Sequence, residues 1–289
     1  LEFPDVFSQG GFDVMLGNPP WERIKLQEKE FFSLRDPKIA KEKNASKRKE
    51  LIKSLKENNP QFFYEYIKAL HQSEAESKFI RNSYRFPKSA YGDINTYAIF
   101  CELFYSLINK KSRAGLIIPA GIATDNTTKA LFSDFVNNQR LVQLIGFENE
   151  EMIFPSVHHA FKFCAITLTG DDNKIAQSSF TFFHRNFTSL QDLTRNYKLS
   201  KSDFALLNPN TLTCPIFRTV KDYDLTKKIY SKYSIIDFEN EPSRNLIKYE
   251  FFTLFHMTND SSLFTKASFD TVPLYEAKMF YHYDHRYAT

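Results

Sequence analysis

Glycine is scarce in this chain, eight residues in 289, and no two of them stand in a G-x-G spacing. Within these residues that excludes the glycine-rich turn through which a backbone approaches a phosphate or a nucleotide-like cofactor. Cysteine is scarcer. Cys101, Cys164 and Cys214 are far apart and odd in number, which argues against a disulfide framework and a zinc site and leaves three reduced core residues. No uninterrupted apolar run reaches membrane length and no signal peptide is visible, so the expectation is a cytoplasmic protein without a membrane partner. Repeats and low-complexity tracts are absent. Charge of one sign does not dominate: 38 Lys and Arg against 34 Asp and Glu give a net +4, compatible with nucleic acid without requiring it. What is plentiful is aromatic. Thirty Phe and fifteen Tyr can fill a core, and they can also offer stacking surfaces.

The most informative stretch is Phe12-Asp13-Val14-Met15-Leu16-Gly17-Asn18-Pro19-Pro20-Trp21. Phe12, Val14 and Leu16 alternate as in a buried strand. Gly17 permits a tight backbone, and two prolines fix φ and remove backbone donors. Asn18 precedes a proline and is kept out of the helical region. The corner thus leaves the Asn18 amide oxygen and the Pro19 carbonyl free to accept hydrogen bonds, with the flat Trp21 ring beside them. Two acceptors and a π-face suit a planar group that carries an NH2. The plainer alternative is a strand-ending turn with a core tryptophan.

Along the chain, nine basic and three acidic residues lie between Arg35 and Lys56. Leu51, Ile52 and Leu55 add a thin apolar stripe, so a basic helical insertion is expected at about 35–60. Its cationic face is either solvated or in contact with phosphates beside a duplex. Phe62, Phe63, Tyr66, Ile67 and Leu70 predict one helix face, residues 79–94 a loop, and Phe100, Cys101, Phe104, Leu107 and Ile108 a helix with a buried side. Gly115 to Pro119, Leu141 to Gly146 and Phe161 to Leu168 read as strands. Strands alternating with helices predict an α/β fold with a largely parallel sheet, in which ligands bind at the carboxyl ends of strands. A compositional change after Gly170 suggests a boundary there.

Asn18-Pro19-Pro20-Trp21 resembles the Asn-Pro-Pro-aromatic motif of amino-group methyltransferases, above all the adenine-specific DNA methyltransferases. Asn95-Thr96-Tyr97-x-x-Phe100 resembles the helix that borders the cofactor pocket in that family, and Ile153-Phe154-Pro155 its loop with a second aromatic. The order of elements is similar to the second half of a catalytic domain of the gamma arrangement. The stretches 255–261, 273–279 and 284–289 look like parts of fused type IIG restriction–modification enzymes.

The resemblance implies an α/β fold: a partial Rossmann-like class I methyltransferase sheet with helices, followed by an irregular α+β region. It implies two domains, 1–170 as the C-terminal half of the catalytic domain and 171–289 as a connector and the start of a DNA target-recognition region. It implies S-adenosylmethionine as cofactor, with its main binding loop upstream of residue 1, and double-stranded DNA as partner. The rest of a parent polypeptide would supply the N-terminal methyltransferase half, a nuclease and the remaining target-recognition domain, and the piece alone would be inactive. The implied catalytic residues are Asn18, Pro19, Pro20 and Trp21, with Trp21 and Phe154 stacking on a flipped adenine. Asn95 and Tyr97 would touch the cofactor, and Lys47, Arg48, Lys49, Lys278 and Arg286 the DNA. No metal is expected; His282, Asp284 and His285 read as structure or phosphate contact. The competing readings are a protein glutamine methyltransferase and a non-catalytic DNA-recognition module.

Overall fold

The computed structural model describes residues 2–239 and, from there to 281, all but residues 240, 246, 249, 251, 258, 267, 273, 275–278 and 280. The chain opens with α1 (Pro4–Ser8) and β1 (Phe12–Gly17), then turns into α2 (Glu28–Ser33), α3 (Pro37–Lys41), α4 (Ala45–Asn58) and α5 (Pro60–Asn82). Helix α6 (Thr96–Leu107) leads into β2 (Ile108–Pro119), followed by α7 (Gly121–Thr124), α8 (Lys129–Asn137), β3 (Leu141–Glu148) and β4 (Lys162–Thr169). Next come β5 (Gln177–His184), β6 (Tyr197–Ser200), α9 (Lys201–Leu207) and α10 (Val220–Lys232). The described residues fall into two compact units, 1–244 and 245–289.

The fold is α/β, built on a six-stranded sheet in the order β1-β2-β4-β3-β5-β6. The sheet is mixed rather than largely parallel. β1 with β2 and β3 with β5 are parallel, whereas β4 runs antiparallel to both its neighbours and β6 antiparallel to β5. The reason lies in the connections. Helix α6 carries the chain back between β1 and β2, as a parallel pair requires, whereas β3 and β4 are joined only by the loop 149–161. Strand β4 turns back and slots between β3 and β2. The compositional change near residue 170 falls inside this sheet, since β5 and β6 extend it beyond the turn that starts at Gly170.

Strand β2 alternates buried Ala114, Leu116 and Ile118 with Ile117, which is exposed. Helices α6 and α8 meet its sheet through Tyr97, Cys101, Leu131, Phe132 and Phe135. All three cysteines are free and buried within this core, as expected. Strand β1 lies at the sheet's edge, and Val14 and Leu16, read as buried, are exposed there. An edge strand has a neighbour on one side only, so alternation marks its faces without guaranteeing a cover for them.

The basic insertion is larger than the sequence suggests. It runs from α2 to α5, and α5 continues to Asn82, past the start of the expected loop. It holds a hydrophobic cluster of its own around Phe32, Ile39, Ile52, Leu55 and Tyr66. Asp36, Asn44 and Asn59 each cap a helix through the side-chain oxygen, a contribution of about 1 kcal/mol per cap.

On β5, His184 is fully buried, with Nε2 at 2.6 Å from Thr181 Oγ1 and Nδ1 at 2.9 Å from Ser189 Oγ. Burial, and secondarily Arg195, hold its pKa below the ordinary 6.5. The unfolded chain therefore takes up a proton near pH 6.5 that the native chain resists, so stability is full above that value and falls as the pH drops below it. Thermal midpoints should be level from pH 8 to about 6.5 and decline beneath it. His184→Gln should flatten the acid limb, and a parallel acid limb in that variant would refute the assignment.

Candidate functional site

The site grows from the end of β1. Gly17 lies against Phe104, whose ring would stand 3.0 Å from any Cβ placed there. Beyond it, Asn18 is exposed, Pro19 buried, Pro20 exposed and Trp21 half-buried. Among the described residues, neither the Asn18 side chain nor the Pro19 carbonyl has a hydrogen-bond partner, so Asn18 is not spent on its own turn.

The corner is tied down immediately downstream. Thr96 Oγ1 lies 2.7 Å from the Pro20 carbonyl and accepts from the Glu22 N–H at 3.0 Å, and the Thr96 N–H donates to the Glu22 carbonyl. Arg23 pairs with Asn95 in a short antiparallel bridge, and Ile24 N–H donates to the Ile94 carbonyl. The two sequence motifs, 18–21 and 95–100, thus meet at the start of α6. Thr96 is the residue that joins them, a role the motif reading did not assign. Its signal was a hydroxyl residue at a helix start.

Trp21 Nε1 donates to the Ile117 carbonyl at 3.2 Å. Its ring runs parallel to Phe161 (5.7 Å between centroids, 10° between planes) and near-parallel to Phe163 (6.0 Å, 28°). Phe154 meets it edge to face, 5.5 Å away at 80°. The loop after β3 therefore does bring Phe154 to Trp21, but the two rings touch and do not stand as parallel walls around a gap.

The other sequence-derived residues are placed as follows. Asn95 is half-buried and its amide donates to the Asp93 carbonyl at 3.1 Å. Tyr97 lies in the core, where burial first and Asp125 second push its phenol up. Lys47 and Lys49 are exposed. Arg48 is engaged, its Nε 2.9 Å from Glu28 Oε2 and its terminal nitrogen donating to the Glu42 carbonyl. Lys278, Arg286, His282, Asp284 and His285 lie outside the described residues. No group of three or more His, Cys, Asp or Glu able to hold a metal occurs among the described residues.

Next to the corner, Arg23 to Glu30 and the outer side of α5 enclose an open groove of about 1030 Å³. Lys25, Lys29, Lys49 and Lys78 line it and have no carboxylate within ion-pair distance among the described residues.

A mixed α/β domain with an amide-and-proline corner at a strand end is the class that fold and site define. The chain belongs to the Eco57I restriction-modification methylase family, whose model matches residues 1–86 and 66–154, together more than half of it. No curated protein matches. Among solved structures, similarity extends to the type I restriction-modification system methyltransferase subunit from Streptococcus thermophilus, at 13% identity over 47% of this chain and 33% of that one, TM-score 0.36. The type IIG restriction endonuclease BpuSI is similar at 16% identity over 40% of this chain and 15% of that one, TM-score 0.31. The ATP-dependent Type ISP restriction-modification enzyme LlaBIII, bound to DNA, is similar at 9% identity over 66% and 12%, TM-score 0.35. The chain spans a third or less of the length of each. No described helix is long and apolar enough to cross a membrane.

Proposed function

We propose that this chain is the substrate-gripping half of a restriction–modification DNA methyltransferase of the gamma arrangement, acting on the exocyclic amine of adenine, in a cytoplasmic type IIG polypeptide. One observation carries the reading: two oxygens, Asn18 Oδ1 and the Pro19 carbonyl, have no hydrogen-bond partner among the described residues and immediately precede a half-buried indole in the chain. The lone pair of an adenine amine is delocalised into the ring, which makes it a poor nucleophile. Accepting both N–H bonds at fixed oxygens localises that pair on nitrogen, which is catalysis by positioning and electrostatics.

S-adenosylmethionine supplies the methyl group in such a reaction. The residues of this chain do not fit it as a cradle: there is no G-x-G turn, Tyr97 is buried, and the Asn95 amide is already engaged. The proposal therefore leaves donor binding to residues other than these, and places nuclease and remaining target recognition elsewhere in the parent polypeptide.

The target base must leave the duplex, at a cost of a few kcal/mol, and stacking offsets it by about 1–3 kcal/mol per base. Phe161 and Phe163 lie two residues apart on one extended segment, so their rings share a side, and Trp21 rests over both. A base entering beside Trp21 must turn the Phe154 edge aside. Trp21→Ala should weaken binding of a duplex whose target adenine faces an abasic site by about tenfold. Equal affinity of variant and wild type for that duplex would count against stacking.

The groove, lined by Lys25, Lys29, Lys49 and Lys78 but also by Glu28, Glu30, Glu74 and Asp93, is cationic on balance and favours DNA over a protein glutamine as substrate. Replacing Lys25, Lys29 and Lys78 with Ala should reduce the slope of log affinity against log salt by about 2–3. An unchanged slope would remove the groove from the DNA path.

A further inference from the structure

Asn149 is an amide with no solvent exposure in a loop whose crest is exposed. Its Nδ2 donates to the carbonyls of Phe154 (3.0 Å) and Val157 (2.8 Å), and its Oδ1 accepts from the Phe154 N–H at 2.9 Å. Its backbone N–H donates to the Phe161 carbonyl at 3.0 Å, and its carbonyl accepts from Met152 N–H at 2.8 Å. Every one of these bonds stays inside the loop 149–161. A single residue therefore closes the neck of that loop and holds its crest. The two phenylalanines so held, Phe154 and Phe161, are rings that contact Trp21.

We propose that Asn149 is a positioning residue for base capture: it sets the Phe154 ring against Trp21. This rests on the reading that Trp21 receives the target base. The sheet does not depend on Asn149, because β3 and β4 remain paired up to Glu148 and Lys162. Its loss leaves the Phe154 N–H and the Val157 carbonyl without partners among the described residues, while the Phe154 carbonyl keeps the Val157 N–H at 3.1 Å, and should loosen the loop rather than unfold the domain.

Trp21 is the only tryptophan of the chain, so intrinsic fluorescence reports on this position alone. In the 289-residue chain, Asn149→Ala should raise the acrylamide quenching constant of Trp21 about twofold, with the far-ultraviolet circular dichroism unchanged. It should weaken quenching by added 2′-deoxyadenosine about tenfold. Phe154→Leu should reproduce both changes, and the double variant should be no worse than either single one. If Asn149→Ala does not fold, the isosteric Asn149→Asp, which keeps the acceptor and cannot make both donations, should shift both readings the same way. An unchanged acrylamide constant, or fully additive losses in the double variant, overturns the positioning role. A wild-type chain whose Trp21 ignores deoxyadenosine overturns the base-capture reading beneath it, whatever the acrylamide result.

Discussion

Asn18→Ala in the parent enzyme is expected to lower methyl transfer to an adenine-containing duplex about a thousandfold, with duplex affinity held within about twofold. The expectation follows from where the amide stands. It is exposed, has no bond to any described residue, and follows a strand whose end is fixed by Gly17 packing on Phe104. Removing it disturbs little of the fold, so the loss should appear in the turnover number. The buried Pro19 presents the second acceptor from the backbone and survives the change. Asn18→Asp is the sharper control, since it keeps an oxygen in place while adding charge. Labelled donor and single-turnover kinetics separate binding from transfer. Wild-type rates in Asn18→Ala would end the amine-gripping account.

The second large effect concerns stability. Arg140 is nearly buried just before β3, and its guanidinium is shared among three segments. Its Nε donates to the Thr169 carbonyl at 2.6 Å, one terminal nitrogen donates to the Tyr105 carbonyl at 3.0 Å, and the other lies 3.3 Å from Asp171. The charge also sits 3.8 Å over the Tyr105 ring. One side chain thus ties the end of α6 to the end of β4. Arg140→Ala leaves two carbonyls without donors and opens a gap beside Tyr105. It should cost about 3 kcal/mol and lower the thermal midpoint by about 10 °C. Arg140→Lys should recover less than half, because an ammonium cannot reproduce the planar fork. Asp171 is largely exposed, so Asp171→Ala should cost under about 1 kcal/mol. A loss at Asp171 as large as that at Arg140 would contradict this division.

Much of the candidate site was legible in the sequence because its parts are local. Pro-Pro after Asn18 decides by sterics alone that the backbone turns and that few N–H groups remain. The approach of motif 95–100 and of the Phe154 loop to the corner was legible only through resemblance, and the structure brings both there. Three features were not legible. Arg48 is one of a run of like residues in sequence, yet it is engaged by Glu28, twenty positions earlier. The sheet mixes directions because β4 returns through a loop without a crossover helix, and strand periodicity carries no direction. Asn149 looks like any polar residue at a strand end until the loop folds over it.

What the sequence determined alone was the proline-stiffened backbone of the corner, the helical character of the insertion and the absence of a glycine-rich cofactor turn. These rest on dihedral sterics, on spacing along one element and on composition, none of which needs a distant partner. The tertiary structure decided which rings surround Trp21, which cations stay unpaired and which strands are neighbours. Those outcomes depend on the collective burial of apolar surface, which brings together residues that the chain keeps apart.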